Sequence, residues 1–166
     1  EFQVDNSKPV VGDFDGDGVD DIGFYTFYNG GAKWHIVSGK KKILGLSDVQ
    51  GIYDGNNNPI IPWGKEWPGM SSNMNVLIGD YDGDGRDDRA LVDVVNGNWF
   101  MKSSAGNASD YMWSLHTNEL LYGWNWSEMN AGFKTVVGDY DGDGVSDRAI
   151  YDFNKGKWYI LASQTD

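Results

Sequence analysis

The 166-residue chain has no cysteine, so disulfides contribute nothing and its redox compartment cannot be read from thiols. No apolar run approaches the roughly 18–20 residues of a membrane-spanning helix, which argues against membrane insertion. Basic residues are scarce, with 13 Lys and Arg against 25 Asp and Glu, a net charge of −12. No basic stripe exists to neutralise phosphates, so a nucleic-acid partner is disfavoured. The one basic cluster, Lys40-Lys41-Lys42, reads as a solvated turn. Histidine occurs twice, at His35 and His116. No Ser-His-Asp or Cys-His arrangement and no phosphate-cradling glycine loop is legible.

What is abundant is aspartate in a fixed pattern. Three loops share it: Asp13-Phe-Asp15-Gly-Asp17-Gly18-Val19-Asp20-Asp21, Asp80-Tyr-Asp82-Gly-Asp84-Gly85-Arg86-Asp87-Asp88, and Asp139-Tyr-Asp141-Gly-Asp143-Gly144-Val145-Ser-Asp147. Each carries carboxylates at positions 1, 3, 5 and 9 and glycine at position 6. A hard divalent cation such as Ca²⁺ needs several converging oxygens, which alternating Asp supplies. Glycine permits the reversal, and the position-7 residue (Val19, Arg86, Val145) can add its carbonyl. An EF-hand would need a bidentate Glu at position 12, where Phe24, Leu91 and Ile150 stand. Strand-like runs flank the loops, so strand–loop–strand Ca²⁺ sites are expected, three in all. Fourteen of the 25 acidic residues lie in these loops. Three Ca²⁺ would bring the net charge to about −6. Loops of this sort suit millimolar, extracellular calcium. The chain begins at Glu1 without Met, and a processed, secreted protein is the expectation.

The length predicts one domain with a core that needs no staples, and eight Trp are available to fill it. The loops recur at 67 and 59 residues (13 to 80, 80 to 139). After each comes a strand-like run (22–27, 90–95, 149–153), a glycine-containing turn, and a second strand led by Trp34, Trp99 or Trp158. That order is a hairpin signature. A further strand and a long loop are expected over 38–62, and another strand around Tyr111–Leu115. Trp67 and Trp126 each stand 13 residues before the next loop. The predicted fold is all-β and propeller-like: three repeats of about four short antiparallel strands. Their expected bounds are about 9–66, 67–125 and 126–166. Residues 1–8 complete the last, so the N-terminal strand would seal a ring and remove exposed edges.

The run Val-Val-Gly-Asp-Tyr-Asp-Gly-Asp-Gly-Val-Ser-Asp-Arg-Ala-Ile-Tyr at 136–151, followed by Gly156-Lys-Trp158-Tyr, resembles the FG-GAP/VCBS family of propeller repeats. Such repeats look like the calcium-loop blades of integrin α-subunits and of secreted sugar-binding propellers. The resemblance covers nearly the whole chain in three copies and implies four-stranded blades, each loop held by Ca²⁺. Propellers have four to eight blades, so three is a departure. Three arrangements follow: the ring closes within one chain, which the N-terminal complement favours, a homodimer brings six repeats together, or the sequence is a piece of a longer protein.

Several residues carry candidate chemistry. Arg89 and Arg148 follow the last loop Asp, and Asp93 and Asp152 stand four residues on, so strand periodicity puts each pair on one face. An Arg–Asp pair supporting the sheet is one reading. A polar cluster gripping an anionic or hydroxyl-rich ligand is the other. His35 occupies the slot of Phe100 and Tyr159 and reads first as a packed aromatic substitute. In a polysaccharide lyase His35 or a Tyr would be the base, with Arg89 or Arg148 neutralising a uronate. A glycosidase would instead need two carboxyls among Glu66, Glu128, Asp93 and Asp152. Trp63, Trp113 and Trp124, outside the repeated set, are the candidate sugar-stacking residues, with His116 as a further ligand contact. The expected function is carbohydrate binding by a calcium-stabilised module. Polysaccharide cleavage by a lyase is the alternative, and adhesion to a protein partner is the second.

Overall fold

Beyond each acidic loop, alternating side chains point to opposite faces, the period of two that defines a strand. The computed structural model describes residues 7–28, 31–40, 51–53, 59–62, 65–68, 72–95, 97–104 and 132–163. Among them lie β1 (Lys8–Gly12), β2 (Asp21–Tyr28), β3 (Gly31–Val37), β4 (Gly51–Tyr53), β5 (Pro59–Pro62) and β6 (Lys65–Pro68). The chain continues through β7 (Met74–Gly79), β8 (Asp88–Asp93), β9 (Asn98–Lys102), β10 (Phe133–Gly138), β11 (Asp147–Asp152) and β12 (Lys157–Leu161). The elements with described bounds are all strands, and Gly39–Lys40 form a short helical stretch after β3. Among the described residues the architecture is all-β, as the alternation predicts.

Each acidic loop joins the first two strands of an antiparallel meander: β1-β2-β3, β7-β8-β9 and β10-β11-β12. The three share one register. Tyr25 faces Trp34, Val92 faces Trp99, and Tyr151 faces Trp158 across the hairpin. The two extra residues of repeat 1 lengthen its hairpin through the pairs Phe27–Ala32 and Tyr28–Gly31. An insertion of two keeps every side chain on its face, where one would have flipped the strand.

Repeat 1 has more. β6 pairs antiparallel with β3, Trp67 opposite Ala32, so β1-β2-β3-β6 is a four-stranded antiparallel set. That strand crosses the boundary expected at 66/67. β4 joins β3 in parallel through Val37 and Gly51, and β5 pairs with β4. The strand expected around 111–115 lies outside the described residues, as do residues 1–6 of the N-terminal strand expected to complete the last repeat. No closed ring is found among the described strands.

The chain divides into two compact units. The first (Glu1–Ser72 with Ser104–Ser109) carries repeat 1 and buries one face of its sheet: Val10, Tyr25, Ala32, Trp34 and Ile36. The second (Asn73–Ser103 with Asp110–Asp166) carries the described strands of repeats 2 and 3. Its core joins Val92, Trp99, Leu77 and Val94 to Ile150, Phe133, Tyr159 and Leu161. By strand alternation the first four share one face of repeat 2, here called the back. The other four share the opposite face of repeat 3, its front. Burying side chains such as Ile150 and Val92 contributes about 1.5–3 kcal/mol each.

Candidate metal centre

The loops are wound on their own first aspartate. Asp13 Oδ1 accepts the N–H groups of Gly16 (2.8 Å) and Asp17 (3.0 Å), while Oδ2 accepts that of Gly18 (2.8 Å). Asp80 repeats this with Gly83 (2.7 Å), Asp84 (3.2 Å) and Gly85 (2.8 Å). Asp139 does so with Gly142 (2.7 Å) and Gly144 (3.0 Å). Wrapping a chain this tightly around one carboxylate requires left-handed backbone at positions 4 and 6. Their glycines have φ between 72° and 89°.

Positions 5 and 9 complete the frame. The carboxylates of Asp17, Asp84 and Asp143 accept the position-7 N–H of Val19, Arg86 and Val145 at 2.8–3.0 Å. Val19, Arg86 and Val145 thus each turn the backbone N–H toward the position-5 carboxylate. Position 9 is buried in every copy. Asp21, Asp88 and Asp147 accept the N–H of Phe14, Tyr81 and Tyr140 through Oδ2 at 2.7–3.0 Å. The other oxygen of Asp21 accepts Gly39 N–H (2.9 Å), and that of Asp147 accepts Ser163 N–H (2.6 Å). Ser163 Oγ also donates to Asp143 at 3.0 Å. Position 9 is therefore a bolt, tying loop entry to the strand end two places past the Trp-led strand.

The result is convergence of negative charge. One oxygen from each of Asp13, Asp15 and Asp17 lies within 4.8 Å of the others. The same holds for Asp80, Asp82 and Asp88, and for Asp139, Asp141 and Asp147. Ionised pairs at such separations repel by about 1 kcal/mol in water-like surroundings and about 4 kcal/mol at an effective dielectric of 20. Burial, then the charges of Asp15 and Asp13, push the Asp21 carboxyl up to about 7, against the two N–H donors that favour its anion. Asp15 is raised by burial and by Asp17, with the Ser38 hydroxyl opposing. Asp84 is raised by burial and by Asp82. One oxygen of Asp15 is buried with no hydrogen-bond donor. Oxygen-only donor sets of this kind fit a hard divalent cation. A lysine supplies a little of the missing charge at loop 1, Lys40 Nζ lying 3.6 Å from Asp17. A half-exposed pair contributes little.

His35, Asp93 and Asp152 take part in the packing and turns of the sheets. The His35 ring stacks on Phe24, centroids 4.7 Å apart and 20° from parallel. Burial, then Lys33, holds its pKa below the ordinary histidine value. Asp93 Oδ1 accepts the Val95 N–H (2.9 Å), and Asp152 Oδ1 accepts those of Asn154 (2.9 Å) and Lys155 (3.2 Å). Both carboxylates thus shape hairpin turns, with Lys155 Nζ 3.5 Å from Asp152. Arg89 is buried and Arg148 half-buried. Arg148 lies close enough to Tyr81 to oppose the burial that raises its phenol pKa. Trp63, Trp113, His116, Trp124 and Glu128 lie outside the described residues, and of Glu66 only the backbone, in β6, is described.

No family model, curated protein or solved structure matches the chain. The FG-GAP/VCBS resemblance therefore rests on the loop and hairpin residues alone. Sequence reasoning missed the clamp from Gly39 and Ser163 onto position 9. Its signal is register: both stand two residues beyond the strand partner of the residue after that Asp.

Proposed function

We propose that the chain is a secreted, calcium-organised module of FG-GAP/VCBS-type propeller blades that binds carbohydrate. One observation carries the calcium step: three times, three carboxylates are gathered within 4.8 Å by loops wound around their own first Asp. Burial raises Asp21 and Asp15 instead of relieving them, so a cation is the natural counter-charge. Ca²⁺ suits flexible oxygen-rich loops better than Mg²⁺, which demands near-ideal octahedral geometry and keeps its waters. Asp13, Asp15, Asp17 and Asp21 would hold the first ion, with Asp80, Asp82, Asp84 and Asp88, and Asp139, Asp141, Asp143 and Asp147, holding the others. The position-7 carbonyls would assist. The ion supplies charge neutralisation and loop rigidity; the residues supply the cage.

The carbohydrate step rests on the resemblance and on the aromatic and Asn-rich segments between hairpins. There Trp63, Trp113 and Trp124 would stack on sugar faces, as indoles do on apolar C–H surfaces. The polysaccharide-lyase alternative gains no support from His35, whose ring is engaged with Phe24. Calorimetric titration of the metal-stripped protein should give three Ca²⁺ per chain, and a glycan array run with Ca²⁺ should show binding lost in EDTA. Absence of calcium uptake at millimolar concentration would sink the first step. A silent array, with calcium bound, would sink only the second.

A further inference from the structure

The three repeats share one register, so equivalent residues ought to share one environment. Two sets do not. Trp34 and Trp99 are fully buried, while their equivalent Trp158 is 53% exposed. At position 2 of the loops Phe14 is buried, whereas Tyr140 is 41% exposed and folds back over Gly138. Phe153, the equivalent of the core residue Val94, is 59% exposed. Trp158 lies 5.1 Å from Tyr151 and 6.5 Å from Tyr140, and Tyr151 lies 5.1 Å from Phe153. Repeat 3 thus presents a continuous aromatic back.

Repeat 1 shows the converse. Val11 is 55% and Ile22 49% exposed, and both lie on its front beside Phe24 and His35. Their equivalents in repeat 3, Val137 and Arg148, are partly covered. Val137 faces Gly79 of repeat 2.

Within the second unit a back meets a front. Trp99, Val92, Leu77 and Val94 of repeat 2 pack on Ile150, Phe133, Tyr159 and Leu161 of repeat 3. The open back places Trp158, Tyr151, Val136 and Phe153 at the positions of Trp99, Val92, Leu77 and Val94. The open front places Phe24, His35 and Val37 at those of Ile150, Tyr159 and Leu161.

We propose that the aromatic back of repeat 3 docks the front of repeat 1 in a second copy of this chain, repeating between molecules the repeat 2–repeat 3 packing. Such a contact is heterologous: the two surfaces differ, and repetition closes a ring when the rotation allows. Two copies bring six repeats together, within the range of four to eight blades over which propellers close. The occupant is a blade front and not a sugar because the exposed rings stand in core positions, tilted 46° to 85° from one another instead of forming a flat stacking platform. Trp158 is the expected anchor, since buried aromatics dominate interface energetics. The inference rests on the blade reading of the repeats and is independent of the sugar.

The test is the solution mass of the full chain in millimolar Ca²⁺, by sedimentation or light scattering over a range of concentration. Twice the 18.5 kDa of one chain is expected. Trp158→Asp and, separately, Ile22→Asp should each weaken association by about thirty-fold or more. Mixing the two should restore a heterodimer, because each retains the surface that the other lacks. Each variant is first checked for three bound Ca²⁺, which separates failed folding from failed docking. If only one variant folds, that variant's mass decides. A wild-type monomer overturns the proposal and points to closure within one chain. A dimer persisting in a folded variant, or no heterodimer on mixing, overturns it too. None of these outcomes touches the calcium sites, which the same preparations report by stoichiometry.

Discussion

The backbone N–H of Ser146 donates to the carbonyl of Asp80 at 2.6 Å, joining the third acidic loop to the first residue of the second. Beside it, Asn75 Nδ2 donates to Thr135 Oγ1 at 3.2 Å. Acidic loops 2 and 3 are therefore mechanically linked through backbone, and the residue before Asp80 must be small. A Cβ on Gly79 would lie 2.6 Å from Ser146 Oγ, 3.0 Å from its Cβ and 3.1 Å from Val137 Cγ2.

Gly79→Ala is expected to destabilise by about 1–3 kcal/mol, the usual cost of overpacking a tight contact. Gly138→Ala, at the equivalent place in repeat 3, meets only the exposed Tyr140 ring at 3.3 Å, which can swing away. Urea denaturation should separate the two clearly, and Ser146→Gly should recover part of the loss in Gly79→Ala.

Asp80→Ala removes the acceptor of three N–H groups and one carboxylate of the proposed Ca²⁺ cage. Calorimetry should register two Ca²⁺ where the wild type takes three. Chelation should lower the melting temperature of the wild type most, since a ligand at a hundred times its Kd stabilises by about 2.7 kcal/mol per site. Equal melting temperatures with and without EDTA would argue against any folding-linked ion.

The metal-free protein should have an inverted pH response. Asp21 is raised to about 7 in the fold, chiefly by burial, above an unfolded value near 3.8. Between those values the folded state binds the extra proton, so stability falls as pH rises from about 4 to 7. With calcium bound the slope should reverse, because protons compete with the ion for the same carboxylates. Melting curves at pH 4.5, 6 and 7.5, with and without Ca²⁺, would test this, and Asp21→Asn should flatten the metal-free trend.

Trp99→Ala should cost about 3–5 kcal/mol, as truncations of buried aromatics do. Trp158→Ala, the same substitution at the equivalent residue, should cost much less in a dissociated chain. Chemical denaturation at low protein concentration would rank them.

His35→Phe should preserve fold and calcium stoichiometry. Burial, then Lys33, holds the His35 pKa down, so protonation costs the folded state and stability contributed by neutral His35 is lost as pH falls through the histidine range. The Phe variant should lack that loss while keeping the ring against Phe24, which a pH series of melting temperatures would show.

The residues alone determine whatever is local. The spacing of Asp13, Asp15 and Asp17 and its two repeats specifies tight oxygen-lined loops, because the side chains that wind the turn are at most five residues from the N–H groups they hold. Alternation and glycine turns specify the hairpins and their common register. Tertiary structure alone decides which copy is covered. Trp34, Trp99 and Trp158 occupy one hairpin position, yet two are buried and one is not, because burial depends on what packs over the hairpin, which for Trp99 is the front of repeat 3. Likewise the string offers Asp93 and Asp152 as partners of Arg89 and Arg148 or as candidate acids, and only the folded hairpin brings the N–H of Val95 and Asn154 onto them.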